Sequence, residues 1–454
     1  MAAMIRSRHI SSTELVRAHL DRIEHINPEL NAVVELLSET ALAQAREADA
    51  KIAAGHTPGP LHGVPLSVKD SIDVQDVRSS AGTLGRKSAE KARKDATLVA
   101  RLREAGAIPI AKTNLPDLLF SFESDNLLFG RTNNPYELSR TSGGSSGGES
   151  ALLAACGSPL GLGSDALGSV RVPAAFCGVA SIKPTSGRLP RTGHVPPTGG
   201  WIEALWQIGP MARFVEDLQL VMELLAYPDK EDFTAPPVPL NRSVDKGTLR
   251  IAFFTYNGFS DCTSPVMDAV RRCAQFLADE GYPVEERRPA GIADAYELEL
   301  ALLGADGAEG IDRYLYEAGS TTVHPYTSAF IDHMRPYRGT ASDLSRRWAQ
   351  WDEYRRNMRT FFHRYDVVLC PVYTHAALPH GDSLIETNFR GFSYTMAWNL
   401  AGAPAATVRV GEAMGLPINV QIVAAPWADM TALALALVLE ERFGGWAPPR
   451  AFIA

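Results

Sequence analysis

The sequence predicts an α/β fold with a central mixed, mostly parallel sheet flanked by helices on both faces. One observation is the order of the elements: short apolar runs typical of buried strands alternate with segments of helical periodicity along most of the chain. Such runs are expected where both faces of a parallel sheet are covered. Another is the composition, since 45% of the 454 residues are hydrophobic and 21% are charged. This is the balance of a globular protein that can bury a large core.

The N-terminal elements follow the pattern of helices and one buried strand. Apolar residues recur at helical spacing from Ser12 to about Arg22 behind a Ser-Ser-Thr-Glu start, which predicts a capped amphipathic helix. A second helix is predicted over residues 39–53. Residues 62–70 then read as a short buried strand, which places Lys69 at the end of that strand.

The rest of the chain continues this alternation, with one exception. Further helices are predicted at 96–105, 151–155, 265–280 and 430–442. Further strands are predicted at 107–111, 250–255, 366–370, 405–410 and 418–423. Residues 289–365 differ, because they are polar, rich in Tyr, Trp and Arg, and lack strand-like runs. We therefore predict one domain over 1–454, with a core at about 12–288 and 366–445 and a helical elaboration at about 289–365.

Charge and motif content exclude several classes of protein. The formal net charge of −8 repels phosphate backbones, so no nucleic acid partner is expected. The histidines form no HxH or HExxH pattern, and the five cysteines are widely spaced without a CxxC. We therefore expect no metal, no cofactor and no disulfide framework. The first residues lack the apolar region of a signal peptide, and no apolar run reaches membrane-spanning length, which favours a cytoplasmic protein without a membrane anchor.

The most unusual stretch is a run of small residues, 141–150 (TSGGSSGGES). Glycine is disfavoured within helices and strands, so this density predicts special backbone conformations or close approach to another group. The run precedes an apolar segment and then a second small-residue loop, 161–173 (GLGSDALGSVRVP), which carries the charge pair Asp165 and Arg171. A flexible linker would need neither of these, so a built site is favoured over a linker.

Two other motif interpretations fit less well. Residues 143–147 formally satisfy the G-x-S-x-G nucleophile elbow of α/β-hydrolases. Later histidines would supply the base: His194, His375 and His380. That elbow follows an apolar strand, however, and residues 133–140 (NNPYELSR) are polar. A phosphate-binding loop would need a Gly-Lys-Ser/Thr ending, which is absent.

The two small-residue loops resemble those of the amidase signature hydrolases. The resemblance extends from the ISSTELV start at 10–16 to the GLPINVQIV segment at 415–423, and residues 157–163 (GSPLGLG) are similar to bacterial amidases and the fatty-acid amide hydrolase-like branch. It implies the amidase signature fold. It also implies hydrolysis of an amide C–N bond through an acyl-enzyme, with carbamates (urethanes) or esters as further substrates.

By this resemblance the nucleophile is Ser169, and a second serine, Ser145, follows a cis peptide bond and bridges the nucleophile to a lysine, Lys69. The chemistry supports this assignment, because a serine hydroxyl is a weak nucleophile until a base removes its proton. A lysine can be that base only when it is neutral, and burial disfavours its charged form. Lys69 is therefore predicted to be buried with a lowered pKa.

The resemblance also implies an oxyanion hole made by backbone amides of the second loop. These are the amides of Ala166, Leu167, Gly168 and Ser169. Many family members have two glycines before the nucleophile, whereas this chain has Leu167 and Gly168. Leucine avoids positive φ, so the loop is expected to adopt a conformation that a Cβ accepts, with Leu167 shaping the pocket.

Supporting residues are a further expectation. Ser146 is expected to form hydrogen bonds within the site, and Asp165 with Arg171 is expected to fix the second loop rather than take part in the chemistry. Several aromatic residues either line an acyl pocket or belong to the core. They are Trp201, Trp206, Trp398 and Tyr394.

The expected function is therefore that of an amidase acting on a small-molecule amide or carbamate. Two alternatives stay open. One is a glutaminase-type amidase subunit of a tRNA-dependent amidotransferase, and the other is a catalytically silent binding protein on the same scaffold. The chain does not indicate whether the protein is a monomer or a homodimer.

Overall fold

The computed structural model describes residues 1–197, 200 and 203–452, and in this part of the chain eleven strands form one sheet. The strands are β1 Val33–Leu36, β2 Pro65–Lys69, β3 Ile108–Thr113, β4 Leu160–Asp165, β5 Ala180–Lys183, β6 Gln207–Ala212, β7 Ile251–Phe253, β8 Val284–Glu286, β9 Val367–Pro371, β10 Ala405–Ala413 and β11 Leu416–Ala424. Their order across the sheet is β1-β3-β2-β4-β6-β5-β10-β11-β9-β7-β8. The predicted α/β fold on a mixed sheet is confirmed.

The prediction that the sheet is mostly parallel is wrong. Among the described residues, six of the ten strand pairings are antiparallel. Parallel pairing is confined to β2 with β3 and β4, and to β7 with β8 and β9. The reason is that a strand buried on both faces is apolar throughout in either direction. Every residue of β4, β6 and β11 is buried, although β4 and β6 pair antiparallel with each other and β11 pairs antiparallel with β9 and β10.

Helices flank this sheet. They are α1 Ala2–Arg6, α2 Ser12–Leu30, α3 Ser38–Ala53, α4 Thr97–Glu104, α5 Gly147–Ala154, α6 Arg171–Phe176, α7 Val215–Leu225, α8 Ser264–Asp279, α9 Ala295–Leu303, α10 Glu309–Glu317, α11 Pro325–Met334, α12 Ala341–Phe362, α13 Glu386–Arg390, α14 Ser393–Leu400 and α15 Asp429–Phe443. The capping box predicted for α2 is present, with Ser11 as the N-cap and Glu14 as its partner. That helix continues to Leu30, well beyond Arg22.

Three hydrophobic clusters form the core. Helices α4, α7, α8 and α15 pack with the sheet in one cluster, α9, α11, α12 and α14 belong to a second, and α2, α3 and α5 belong to a third. The five cysteines form no disulfide. Among the described residues, no helix has the length and apolarity needed to cross a membrane.

Residues 289–365 contain helices α9 to α12 and no strand. Two long side chains of α12 attach this segment to α14, because Trp351 Nε1 donates to the Leu400 carbonyl at 2.8 Å and the Tyr354 hydroxyl donates to the Ala397 carbonyl at 3.0 Å. Since α14 packs behind the second glycine-serine loop, this segment reaches the region of the predicted site.

Candidate active site

The first glycine-serine loop approaches neighbouring backbone so closely that side chains are excluded. Gly143 has φ +82°, and the peptide bond between Gly144 and Ser145 is cis, as the resemblance implied. A Cβ on Gly144 would lie 2.6 Å from the Ser121 carbonyl oxygen. Helix α5 then begins at Gly147. The glycine density therefore reflects packing of backbone against backbone, as expected for a built site.

Lys69, the last residue of β2, is fully buried beside this loop. Its Nζ lies 2.6 Å from the Ser145 Oγ and 3.1 Å from the Ser164 Oγ. Burial lowers the pKa of Lys69 well below its ordinary value, and the nearby charges of Asp165 and Glu149 oppose this shift only in part. Burial therefore favours the neutral form of the amine.

Ser169 lies in the loop between β4 and α6 and lines a small cavity. The backbone carbonyl of Ser169 accepts a hydrogen bond from the Ser146 amide at 3.1 Å, while its hydroxyl makes no hydrogen bond in the described part of the chain. Ser145 and Ser169 both line this cavity, which has a volume of about 130 Å³. Two of the three residues predicted from the sequence thus line one cavity, and the third, Lys69, contacts one of them, Ser145.

The loop before Ser169 presents three free amides rather than four. Within the described residues, the amides of Ala166, Leu167 and Ser169 donate no hydrogen bond, whereas the Gly168 amide donates to the Asp165 Oδ1 at 2.8 Å. The Gly168 N–H is thus used within the loop, which leaves the other three amides available for the predicted oxyanion hole. The positive φ, +129°, falls on Gly168 and not on Leu167, so the leucine is accommodated as expected.

Asp165 and Arg171 form the buried ion pair that the sequence predicted. The Arg171 Nε and Nη2 lie 2.9 Å from the two carboxylate oxygens, and both side chains are fully buried. Burial alone would raise the pKa of Asp165, but the charge and hydrogen bonds of Arg171 hold it well below its usual range. The same carboxylate accepts from the amides of Gly168 and Val170. The pair therefore fixes the loop on both sides of Ser169.

Ser146 and Ser164 connect the two glycine-serine loops. The Ser146 Oγ accepts from the Ser164 amide and donates to the Ser164 carbonyl, each at 3.3 Å. Ser164 was not singled out from the sequence, although its position in the second loop beside Asp165 could have suggested a role. Its hydroxyl is also 3.1 Å from the His194 Nε2.

Two further buried titratable residues near Lys69 were missed. Glu149, on α5, accepts hydrogen bonds from Ser67 and from Thr113, the latter at 2.9 Å, and burial raises its pKa to about 7. His194 was considered only as the base of a nucleophile elbow. Burial lowers its pKa to about 3, and its ring faces the Ser164 hydroxyl rather than a nucleophile. The place of Glu149 in the glycine-rich run 141–150 could have indicated it, whereas His194 lies outside both glycine-serine loops.

The wall of the cavity is largely apolar. Its apolar lining residues include Leu118, Phe120, Phe122, Leu167, Trp206, Leu303 and Phe330. A second cavity of about 320 Å³ shares Leu118, Phe120 and Leu303 with the first and extends to Tyr314 and Arg313. We call the cavity beside Ser169 the inner cavity and the second one the outer cavity. The described lining of the inner cavity includes no lysine and no arginine.

Of the three predicted aromatic residues that the structure describes, one reaches this cavity. Trp206 lines it, whereas Trp398 and Tyr394 are buried in the core behind it. Trp201 lies outside the described residues. Among the described residues, no group of three or more His, Cys, Asp or Glu side chains could hold a metal ion.

The fold is a mixed sheet flanked by helices, and the site consists of two serine-bearing loops beside a buried lysine. Together they are typical of a class of hydrolases that act on amides. Residues 14–433 match the family profile described as Amidase, and the chain belongs to this family. It is an enzyme that hydrolyses C–N bonds of amides, as the sequence motifs predicted.

The relatives of the chain include amide hydrolases and an amidotransferase subunit. Fatty-acid amide hydrolase 2-A from Danio rerio is 33% identical, with 99% of this chain and 89% of the relative covered. A glutamyl-tRNA(Gln) amidotransferase subunit from Heliobacterium modesticaldum is 32% identical, with 96% and 94% covered. A solved structure of 6-aminohexanoate cyclic dimer hydrolase complexed with substrate has a TM-score of 0.88 at 28% identity, with 99% and 97% covered.

Proposed function

We propose that the enzyme cleaves amides carrying an apolar acyl or aryl group through an acyl-enzyme on Ser169, with Lys69 as the base and Ser145 between them. The observation that carries this proposal is the position of the fully buried Lys69, whose Nζ lies 2.6 Å from the Ser145 hydroxyl at the edge of the cavity that Ser169 also lines. A neutral amine and two hydroxyls in this order can pass a proton away from the nucleophile.

In the first half-reaction, neutral Lys69 takes the proton of Ser145 while Ser145 takes the proton of Ser169. The Ser169 Oγ then forms a bond to the substrate carbonyl carbon, and the negative charge on the carbonyl oxygen faces the free amides of Ala166, Leu167 and Ser169. One such donor is typically worth about 10²-fold to 10³-fold in rate. As the C–N bond breaks, the proton returns through Ser145 to the departing amine.

In the second half-reaction, water enters the place that the amine has left. The same lysine and serine take a proton from this water, which forms a bond to the acyl carbon. The bond to Ser169 then breaks, and its oxygen recovers the proton. Esters and carbamates pass through the same tetrahedral and acyl-enzyme states, so we propose them as further substrates.

The apolar wall supports the proposed substrate class. Phe120, Leu167, Trp206 and Phe330 surround the space in front of Ser169, and burial of apolar substrate surface there is favourable by about 25 cal/mol per Å². The outer cavity of about 320 Å³ offers room for a longer chain or a second ring. A substrate with one apolar arm therefore fits better than a small polar amide.

The trapping of the acyl group tests this mechanism. An anilide and an ester of the same arylacetic acid are each turned over in the presence of hydroxylamine, and the ratio of hydroxamate to free acid is measured. A shared acyl-enzyme predicts the same ratio from both substrates. Different ratios would contradict the proposed intermediate. A matching aryl carbamate, assayed for amine release, then tests the carbamate activity.

The alternative function, as the glutaminase component of an amidotransferase, has one observation in its favour, the 32% identity to such a component. Glutamine, however, carries an α-carboxylate and an α-ammonium group, and the described lining of the inner cavity offers no lysine or arginine for the carboxylate. The purified chain assayed on glutamine and on the anilide separates the two functions. Glutaminase activity that depends on a partner protein would overturn the free-standing amidase.

A further inference from the structure

His194 lines the cavity together with Ser164 and takes no part in the mechanism above. It is separated from the lysine amine by one hydroxyl, because the Ser164 Oγ lies 3.1 Å from the Lys69 Nζ and 3.1 Å from the His194 Nε2. The imidazole packs against Trp206, with ring centroids 4.5 Å apart, and the side chain is 6% exposed. The ring is therefore held in place, and its effect on the site depends on which of its nitrogens carries a proton.

A neutral lysine amine has two N–H bonds and one lone pair. For Lys69 to take the proton of Ser145, the lone pair must point at the Ser145 Oγ, so both N–H bonds need other acceptors. Two acceptors lie near the amine, and both belong to Ser164: its Oγ at 3.1 Å and its carbonyl oxygen at 3.5 Å. Ser164 can satisfy both hydrogens only if its own hydroxyl proton points away from Lys69.

His194 can accept a hydrogen bond from that hydroxyl. Its Nδ1 lies 3.1 Å from the carbonyl oxygen of Pro196, which can only accept, so Nδ1 carries the hydrogen and Nε2 is an acceptor. Burial keeps the imidazole neutral, with a pKa of about 3. The Ser71 hydroxyl lies 3.2 Å from the same Nε2 and competes for it. The charged groups acting on the histidine are Lys69 and Arg191.

We propose that His194 is a positioning residue: by accepting a hydrogen bond from the Ser164 hydroxyl, it keeps the lone pair of Lys69 directed at Ser145. The proposal rests on the proposed function, in which Lys69 is the base. Without this acceptor, the Ser164 hydroxyl can turn and donate to the lysine lone pair, which then no longer faces Ser145. His194 thus affects the reaction without touching the reacting atoms.

Two substitutions separate the acceptor from the rest of the side chain. His194→Asn keeps a donor near the Nδ1 position, able to reach Pro196, but has nothing at the Nε2 position. His194→Gln places an amide oxygen near the Nε2 position, where it can accept from Ser164. We expect His194→Asn to lower kcat roughly 10-fold or more with a KM change below about threefold, and His194→Gln to recover most of the rate.

The pH profile distinguishes positioning from general damage to the site. The groups that act on Lys69 are Asp165 and Glu149, besides His194 itself. In His194→Asn, a hydroxyl that donates to the neutral amine stabilises that form, so the alkaline plateau of kcat should fall with its midpoint unchanged or lower. Water entering a damaged site would instead favour the charged amine and move the midpoint to higher pH.

A double-mutant cycle tests whether the effect passes through Ser164. In a Ser164→Ala background, His194→Asn should cause no further loss, because the hydroxyl that it would release is absent. The matched control is His19→Asn, since His19 is another buried histidine that pairs with a backbone carbonyl, that of Gly157 at 3.1 Å, and it does not line the cavity. This control should lower the melting temperature and leave kcat unchanged.

Each outcome decides the proposal. Full rates in His194→Asn, equal losses in the Asn and Gln variants, a midpoint moved to higher pH, or additive losses in the cycle would overturn it. If His194→Asn does not fold, Ser164→Ala alone decides: a rate within about twofold of the parent would overturn the proposal. Near-normal rates in Lys69→Met would instead mean that the proposed function itself has failed.

Discussion

Two fully buried lysines, Lys69 and Lys183, end two strands of the same sheet, and burial lowers the pKa of both. They differ in what the amine meets. Lys69 lies 2.6 Å from the hydroxyl of Ser145, whereas Lys183 donates to the backbone carbonyl of Pro184 at 2.8 Å. A carbonyl has no proton to give. Desolvation therefore favours the neutral form of a lysine. The neutral amine acts as a base only where a hydroxyl connects it to the substrate cavity.

The surroundings of the two amines differ as well. The charges of Asp165 and Glu149 favour the protonated form of Lys69. Burial lowers the pKa of Lys183 to about 7, and the positive charge of Arg171 adds to this effect. Asp165 lies between the two regions and is paired with Arg171. The same ion pair therefore influences both lysines, and only the neighbourhood of Lys69 opens to the cavity.

The largest effect should separate the two lysines by activity. Lys69→Met is expected to reduce kcat/KM by roughly 10³-fold or more, because within the described residues no other base lies beside Ser145. Lys183→Met, which loses a buried lysine of the same size, should stay within a few-fold of the parent rate. Initial rates on an anilide measure both. A comparable loss in the two variants would break the comparison, since burial rather than the hydroxyl contact would then decide activity.

The ion pair between the two regions should have the next largest effect. Arg171→Met leaves Asp165 as an uncompensated buried charge and is expected to lower the free energy of unfolding by about 3–5 kcal/mol. Urea denaturation followed by circular dichroism measures this change. Adding Asp165→Asn should recover part of the stability, because the double variant no longer buries a charge. An unfolding free energy unchanged in Arg171→Met would show that the pair does not fix the loop.

The pH dependence of the free energy of unfolding tests the comparison through Lys183. Its pKa is about 7 in the folded protein and has an ordinary value of 10.5 when exposed. Between these values the unfolded chain binds more protons, so this residue makes stability rise with pH; below pH 7 both states are protonated and the penalty is constant. From pH 7.5 to 9.5, the parent should gain about 2 kcal/mol over Lys183→Met.

Denaturation series at several pH values measure that difference. The pH profile of the rate, in contrast, should depend on Lys69 and not on Lys183. Activity rises toward alkaline pH as Lys69 loses its proton, and Lys183→Met should leave this profile unchanged. A profile displaced by Lys183→Met would mean that the two lysines titrate as one system.

The smallest effect is expected at Leu167, which lies between the cavity and α14. Its side chain lines the cavity, and its carbonyl accepts from the Thr395 Oγ1 at 2.6 Å. Leu167→Ala enlarges the space in front of Ser169 without requiring a positive φ. We expect kcat/KM for substrates with bulky acyl groups to improve by up to about tenfold relative to small ones. Unchanged relative rates across a series of acyl groups would place the selectivity elsewhere.

The place of the candidate site was predictable because its signals are local. The glycines of 141–150 are needed where backbone meets backbone, and the apolar run before Lys69 implies burial whatever the fold. Strand direction was not predictable, since a fully buried strand such as β4 has the same apolar pattern in either orientation. The use of the Gly168 amide was missed for another reason. It depends on where the Asp165 carboxylate turns after β4, which no spacing reveals.

The sequence by itself determined the α/β class, the two serine-bearing loops and the buried ion pair, and its resemblance to a known family pointed to Lys69, Ser145 and Ser169. Only the tertiary structure decided the largely antiparallel pairing, the number of free amides, the apolar wall and the contact of His194 with Ser164. The physical reason is distance along the chain. Leu303 and Phe330 come from the helical segment 289–365, and His194 lies 30 residues from Ser164. Contacts of this kind are decided by packing of the whole chain, which leaves no local pattern.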